Sequence, residues 1–275
     1  ISKVTQADLK KYFKKTSKDG ETIQRYVAVS GPYKGSPPLK IRGSDKTAEL
    51  FARSYTGYTS ESEKELNEHN KNIRMAMGTK GHLVMEKLID LNFHGKGSIG
   101  EIGASVGSVM KLEHVKRLDK SIKTLKKTII AQQKQIDKNT NTKGDFTILT
   151  EQFVANEKAN TSGTLDLVVI FSDGSASIYD YKFKSANAQY SRENRGRLTL
   201  TGDMFTTSLE GYDTQISIYR DALEQKYGVT KIRQSRLIPV AVRYVSQDGR
   251  LDNSLTALEV WSDIGKPEDD KGVDA

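Results

Sequence analysis

The run Ser162–Phe171, SGTLDLVVIF, is separated from Ser177–Lys184, SIYDYKFK, by one tight turn. Both runs alternate and are rich in β-branched and aromatic residues, the pattern of neighbouring strands. Strands this apolar belong inside a sheet, yet they carry Asp166, Asp180 and Lys182 near their middles. Burying an unpaired charge costs several kcal/mol, on the order of a domain's whole stability. Either these charges satisfy one another as a structural ion pair, or a further group belongs between them.

The link Ser172-Asp173-Gly174 suits a three-residue hairpin, a type I turn followed by Gly174 in the left-handed conformation. Residue 171 then faces residue 175, and counting back along both strands sets Asp166 directly across from Asp180. Cross-strand neighbours have Cβ atoms about 4.5–5.5 Å apart. Lys182 shares that face by the two-residue period of a strand. A two-residue turn would instead send the two aspartates to opposite faces. Two carboxylates this close repel unless a proton or a cation lies between them. Oxygen donors with water filling the remaining positions suit Mg²⁺ or Mn²⁺. A neighbouring lysine can hold or deprotonate an attacking water and stabilise charge developing on a phosphate. On hairpin geometry alone, simple pairing of Lys182 with one aspartate stands equally open.

The bulk properties narrow the classes. A chain of 275 residues fits one large domain or two small ones. The net charge of +8 favours an anionic partner such as nucleic acid, a phosphorylated substrate or an acidic surface. There is no cysteine, which excludes disulfides, thiolate zinc sites and cysteine-held iron–sulfur clusters. No apolar run approaches the roughly 18 residues needed to span a bilayer, so no membrane partner is expected. No basic-then-apolar leader opens the chain, and it begins at Ile1 rather than Met. The expectation is a cytoplasmic or otherwise intracellular protein, trimmed or cut from a larger protein or complex.

Along the chain, residues 1–15 have the pattern of a short amphipathic helix, and 22–29 that of a strand. Residues 60–91 read as helical, with Gly78 and Gly81 as candidate breaks into two helices. The run 95–108, GKGSIGEIGASVGS, reads as a flexible Gly-rich connection; no βαβ unit surrounds it, so it is no dinucleotide loop. A long helix is expected over 109–138, with Val115, Leu118, Ile122, Leu125 and Ile129 in a 3-4-3-4 rhythm. Its other faces carry many lysines, Lys116, Lys120, Lys123 and Lys127 among them, against only three acids. These form either a solvated face or a surface for a nucleic-acid backbone. Strands follow at 146–155, 163–171 and 175–183, then an arginine loop with Arg192, Arg195 and Arg197. A helix at 209–227 and strands at 236–245 and 256–261 complete the order. The sum is a single α/β domain over 1–265, a central mixed sheet flanked by helices, with 266–275 a disordered acidic tail.

GTLDLVV followed by YDYKFK resembles the Asp…(Asp/Glu)-x-Lys core of the PD-(D/E)XK nuclease superfamily, and most of all its RecB-like exonuclease branch. That branch also has a helix with a histidine before the core, matched by His82 in KGHLVMEKL. Its helix with Gln-x-x-x-Tyr after the core is matched by Gln215 and Tyr219. Glu151, in LTEQFVA, fits the glutamate on the preceding strand. The likeness covers about residues 78–245; residues 16–60 and 109–145 are elaborations outside it.

The resemblance implies a restriction-endonuclease-like core with the long basic helix inserted before the core strands. It makes Asp166 and Asp180 metal ligands, the Tyr181 carbonyl and His82 further ligands, and Lys182 catalytic. It brings Gln215 and Tyr219 to the site or nearby substrate. Glu86, one turn after His82, is placed to orient the histidine ring. A histidine nitrogen in the set would make Mn²⁺ more comfortable than it is in an all-oxygen site. The implied activity is metal-dependent hydrolysis of DNA, exonuclease ahead of endonuclease, with RNA still open. The competing expectation is a nuclease-fold module that binds nucleic acid for a larger assembly without cutting it.

Overall fold

A computed structural model describes residues 13–16, 25–28, 39–40, 60–107, 109–156, 161–185, 216–225 and 227–260. In chain order the elements are β1 (Phe13–Thr16), β2 (Arg25–Ala28), β3 (Leu39–Lys40), α1 (Glu61–His94), α2 (Ile99–Val106) and α3 (Leu112–Thr140). They continue with β4 (Thr147–Asn156), β5 (Thr161–Ile170), β6 (Ala176–Ser185), α4 (216–225), β7 (Ile232–Gln247) and β8 (Arg250–Val260). The chain is α/β with a mixed sheet. It forms two compact units; the cuts fall inside β6, after Asp180, and inside β7, after Arg236.

The first unit is built on β4, β5 and the start of β6. Strand β5 pairs antiparallel with β4 along its whole length and with β6 beyond the turn. Strand β3 meets β5 in parallel, at Lys40 and Thr161. Residues Leu165–Val169 and Ala176–Asp180 are all buried, as expected of central strands covered on both faces. Helix α4 packs Tyr219, Ala222 and Leu223 against Leu149, Val154, Leu165, Val168, Ala176 and Ile178. Gly163 makes this approach possible, because a Cβ there would stand 1.8 Å from the Tyr219 hydroxyl oxygen. Residues 13–15 are strand rather than the end of a helix. Their ladder with Arg25–Ala28 outweighs a weak helical pattern.

In the second unit the long helix α3 buries Val115, Leu118, Ile122, Leu125 and Ile129, the stripe expected from the sequence, and extends it through Gln133 and Ile136. Asn92 of α1 donates to Asp119 of α3 at 2.8 Å, and the Arg117 guanidinium donates to the Leu258 carbonyl at 3.2 Å. Two expectations are corrected in this unit. Helix α1 runs unbroken through Gly78 and Gly81. Gly81 does not break it because that position is where the Phe183 ring packs; a Cβ would meet the ring at 2.5 Å.

The Gly-rich stretch 95–108 is not a mere connection, since Ile99–Val106 is helical. The Ser98 hydroxyl accepts from the Glu101 N–H, and Ile102 and Val106 are buried. The last strand is also longer than its sequence pattern suggests. Strands β7 and β8 form a hairpin around Asp248 and Gly249, with φ of 49° and 78°. No helix among the described residues is long and apolar enough to cross a membrane.

Gly163→Ala is expected to cost about 1–3 kcal/mol by overpacking. In a Tyr219→Leu background the cost should shrink; equal costs in both backgrounds, read by chemical denaturation, would refute the close approach. His114 supplies a pH test. Burial lowers its pKa, partly offset by Glu113, and its Nδ1 accepts from the Lys111 N–H at 3.3 Å. A lowered pKa means that the unfolded chain takes the proton first. The stabilisation is therefore complete above about pH 6.5 and lost as the pH falls. His114→Gln should lose less stability than the parent between about pH 7 and pH 5.

Candidate functional site

The turn between β5 and β6 fixes everything downstream of it. The Gly174 N–H donates to the Phe171 carbonyl at 3.0 Å, and the Phe171 N–H donates to the Ser175 carbonyl at 2.8 Å. Gly174 adopts φ 80°, the left-handed conformation expected of it. Asp173 accepts from the Ser175 N–H at 3.0 Å, from the Ser175 hydroxyl and from Arg233. Burial pushes the Asp173 carboxyl up, but these donors outweigh it and hold the carboxyl below the usual range.

The resulting register pairs Ile170 with Ala176, Val169 with Ser177, Val168 with Ile178 and Leu167 with Tyr179. This is the three-residue-hairpin register. One step further it sets Asp166 across from Asp180, and both are buried, at 7% and 4% exposure. The neighbouring Tyr179 hydroxyl donates to Gln234 at 3.0 Å.

Strand β4 brings a third carboxylate from the other side. Thr150 pairs with Leu167 and Gln152 with Leu165, so Glu151 lies opposite Asp166, at the one position where the pairing lapses. Glu151 has φ 49°, left-handed backbone that costs a non-glycine residue about 1–2 kcal/mol. Such strain persists where the surrounding structure over-determines it, as it does at ligand sites. Its outcome here is that a Glu151 oxygen and an Asp166 oxygen lie within 4.8 Å of each other. Like charges that close, in half-buried and buried positions, favour a cation between them.

In the second unit, α1 carries His82 to the far half of β6. The ring meets Tyr181 edge-on at 6.4 Å between centroids and Phe183 at 5.8 Å. Gly81 lets the helix lie against Phe183 closely enough for this. Tyr181 is 1% exposed, while His82, Glu86 and Lys182 are half-buried. Lys182 follows Asp180 by two residues and shares its face.

Tyr219 is a core residue, packed over Gly163. Gln215, Arg192, Arg195 and Arg197 fall outside the described residues. Lys116, Lys120, Lys123 and Lys127 are exposed on α3, and Lys123 pairs with Asp119 at 2.7 Å. Comparison with protein-family models, curated proteins and solved structures returned no match, so the site is read from its own chemistry.

Glu151→Asn, which keeps a residue tolerant of left-handed backbone, should fold about as stably as the parent. Glu151→Val should lose roughly 1–2 kcal/mol. Equal midpoints for the two variants in denaturant would mean that the conformation is not strained.

Proposed function

We propose that this chain is a metal-dependent nuclease that hydrolyses DNA phosphodiester bonds on a restriction-endonuclease-like core. The observation that carries the reading is the convergence of Glu151 and Asp166 at a strand position opposite Asp180, in the register on which Lys182 follows. This combination goes beyond what a single structural ion pair requires. The resemblance of GTLDLVV and YDYKFK to the PD-(D/E)XK core supports the same assignment.

The donors that the resemblance implies, the carboxylates of Asp166 and Asp180, the Tyr181 carbonyl and a ring nitrogen of His82, suit a hard to borderline divalent ion, and the Glu151 carboxylate beside Asp166 adds to them. Mg²⁺ or Mn²⁺, when bound, would neutralise charge on the phosphate and acidify water. Lys182 then holds the attacking water in line with the leaving oxygen and stabilises charge on the non-bridging oxygens. Water adds to phosphorus and the P–O bond to the departing strand breaks, leaving a phosphate monoester and a hydroxyl. The aromatic pair Tyr181 and Phe183 fixes the His82 ring, and Glu86 orients it from one turn away. Exonuclease action is preferred over endonuclease action, as in the branch that the motifs resemble. The alternative is a binding module without turnover, and the lysine-rich face of α3 is the feature that favours it.

With linear duplex, covalently closed circle and single strands, Mg²⁺ or Mn²⁺ should be required for cutting, and the closed circle should survive. Lys182→Ala should lower the rate about 10²–10⁴-fold. Asp166→Ala and Asp180→Ala should abolish cutting while circular dichroism shows folded protein. Mn²⁺ at about 100 times its dissociation constant should stabilise the parent by roughly 2.7 kcal/mol and leave Asp166→Ala unmoved. Parent-like cutting by all three variants would sink the assignment. Salt-sensitive binding with no turnover in either metal selects the binding module.

A further inference from the structure

We propose that the solvent face of α3 binds the backbone of duplex DNA over about one helical turn, without reading its sequence. This rests on the nucleic-acid reading above and names where the polymer lies.

Lys116, Lys120, Lys123, Lys127, Lys134 and Lys138 are separated by steps of three, four and seven residues. At 3.6 residues per turn these steps return to the same side of a helix, so the six ammonium groups form one straight row. All six residues are exposed. The buried stripe from Val115 to Ile136 lies on the other side and fixes the helix to the rest of its unit. At 1.5 Å per residue the row is about 33 Å long. One turn of B-form duplex is about 34–36 Å. Of the three acids on this helix, Asp119 is already engaged by Asn92 at 2.8 Å and by Lys123 of the row at 2.7 Å.

The chemistry of the row selects among anionic partners. Lysine is a point charge suited to phosphate, and the row has no Arg, Asn or Gln to grip base edges in pairs. Single-strand binding relies on aromatic stacking platforms, and α3 contains no Phe, Tyr or Trp. A helix on an anionic membrane needs an apolar face free to enter the lipid, and the apolar face of α3 is buried in the protein. A rigid, straight, base-blind array therefore fits the regular phosphates of a duplex.

The test is equilibrium binding of fluorescent duplex DNA to the full chain in EDTA, where no cleavage occurs. The salt range is about 50 to 200 mM. A K116Q/K120Q/K123Q/K127Q variant, with helicity checked by circular dichroism, should bind with a shallower salt slope. The slope should fall by about 0.9 for each phosphate that the variant no longer neutralises. K134Q/K138Q should cut the advantage of two turns of duplex over half a turn. Lys64→Gln with Lys71→Gln, on exposed positions of α1, should leave the slope unchanged. A parent-like slope in the quadruple variant would overturn the inference. So would tighter binding of duplex RNA, single strands or anionic vesicles.

Asp166→Asn separates the two proposals, because it should stop cutting and keep the parent salt slope. Loss of the slope effect with cutting intact refutes only the α3 surface. Absence of cutting with the slope effect intact refutes only the nuclease.

Discussion

The register between β5 and β6 is the constraint on which the rest of the site depends. It is set by three residues, with Gly174 in left-handed backbone and Asp173 tied to Ser175 and Arg233. Side chains alternate along a strand, so register alone decides which residues can meet. With this register the two aspartates oppose each other inside a core that includes Leu165, Leu167, Val168, Ile178 and Tyr179. The hydrophobic burial of those neighbours surrounds Asp166, whose oxygen lies within 4.8 Å of a Glu151 oxygen, a separation that free carboxylates would not choose.

Much of this was legible in the chain itself. The hairpin, its register and the apolar stripe of α3 all follow from period-two and period-3.6 patterning and from one turn glycine. Glu151 enters through the family resemblance alone, and its left-handed backbone is not foreseeable, because nothing local in LTEQFVA demands it. The conformation comes from tertiary context, where propensity is a weak guide. Two further elements have local signals in the chain. Ser98-Ile-Gly-Glu101 carries the Ser-x-x-Glu spacing of a capped helix start, hidden by the surrounding glycines. Asp248-Gly249 is a strong hairpin dipeptide between apolar runs, and it marks the β7–β8 turn.

Gly81, a candidate break by its sequence, is a place of contact, and so is Gly163. Gly81 and Gly163 sit where an aromatic side chain, Phe183 or Tyr219, lies against bare backbone. The sequence shows only that a glycine is present; whether it bends the chain or admits a neighbour depends on what packs there. The same limit applies to Tyr219. Its spacing from Gln215 suits a shared surface, but the ring is spent on the core between α4 and β5.

The Asp173–Gly174 turn also bears on how such a chain can vary over evolutionary time. Substituting any one turn residue weakens a clasp, whereas adding or deleting one residue reverses the handed order of every side chain beyond it and turns Asp180 away from Asp166. What descent must preserve at this corner is therefore a count of residues more than their identities, and drift in spelling is tolerable where drift in length is not.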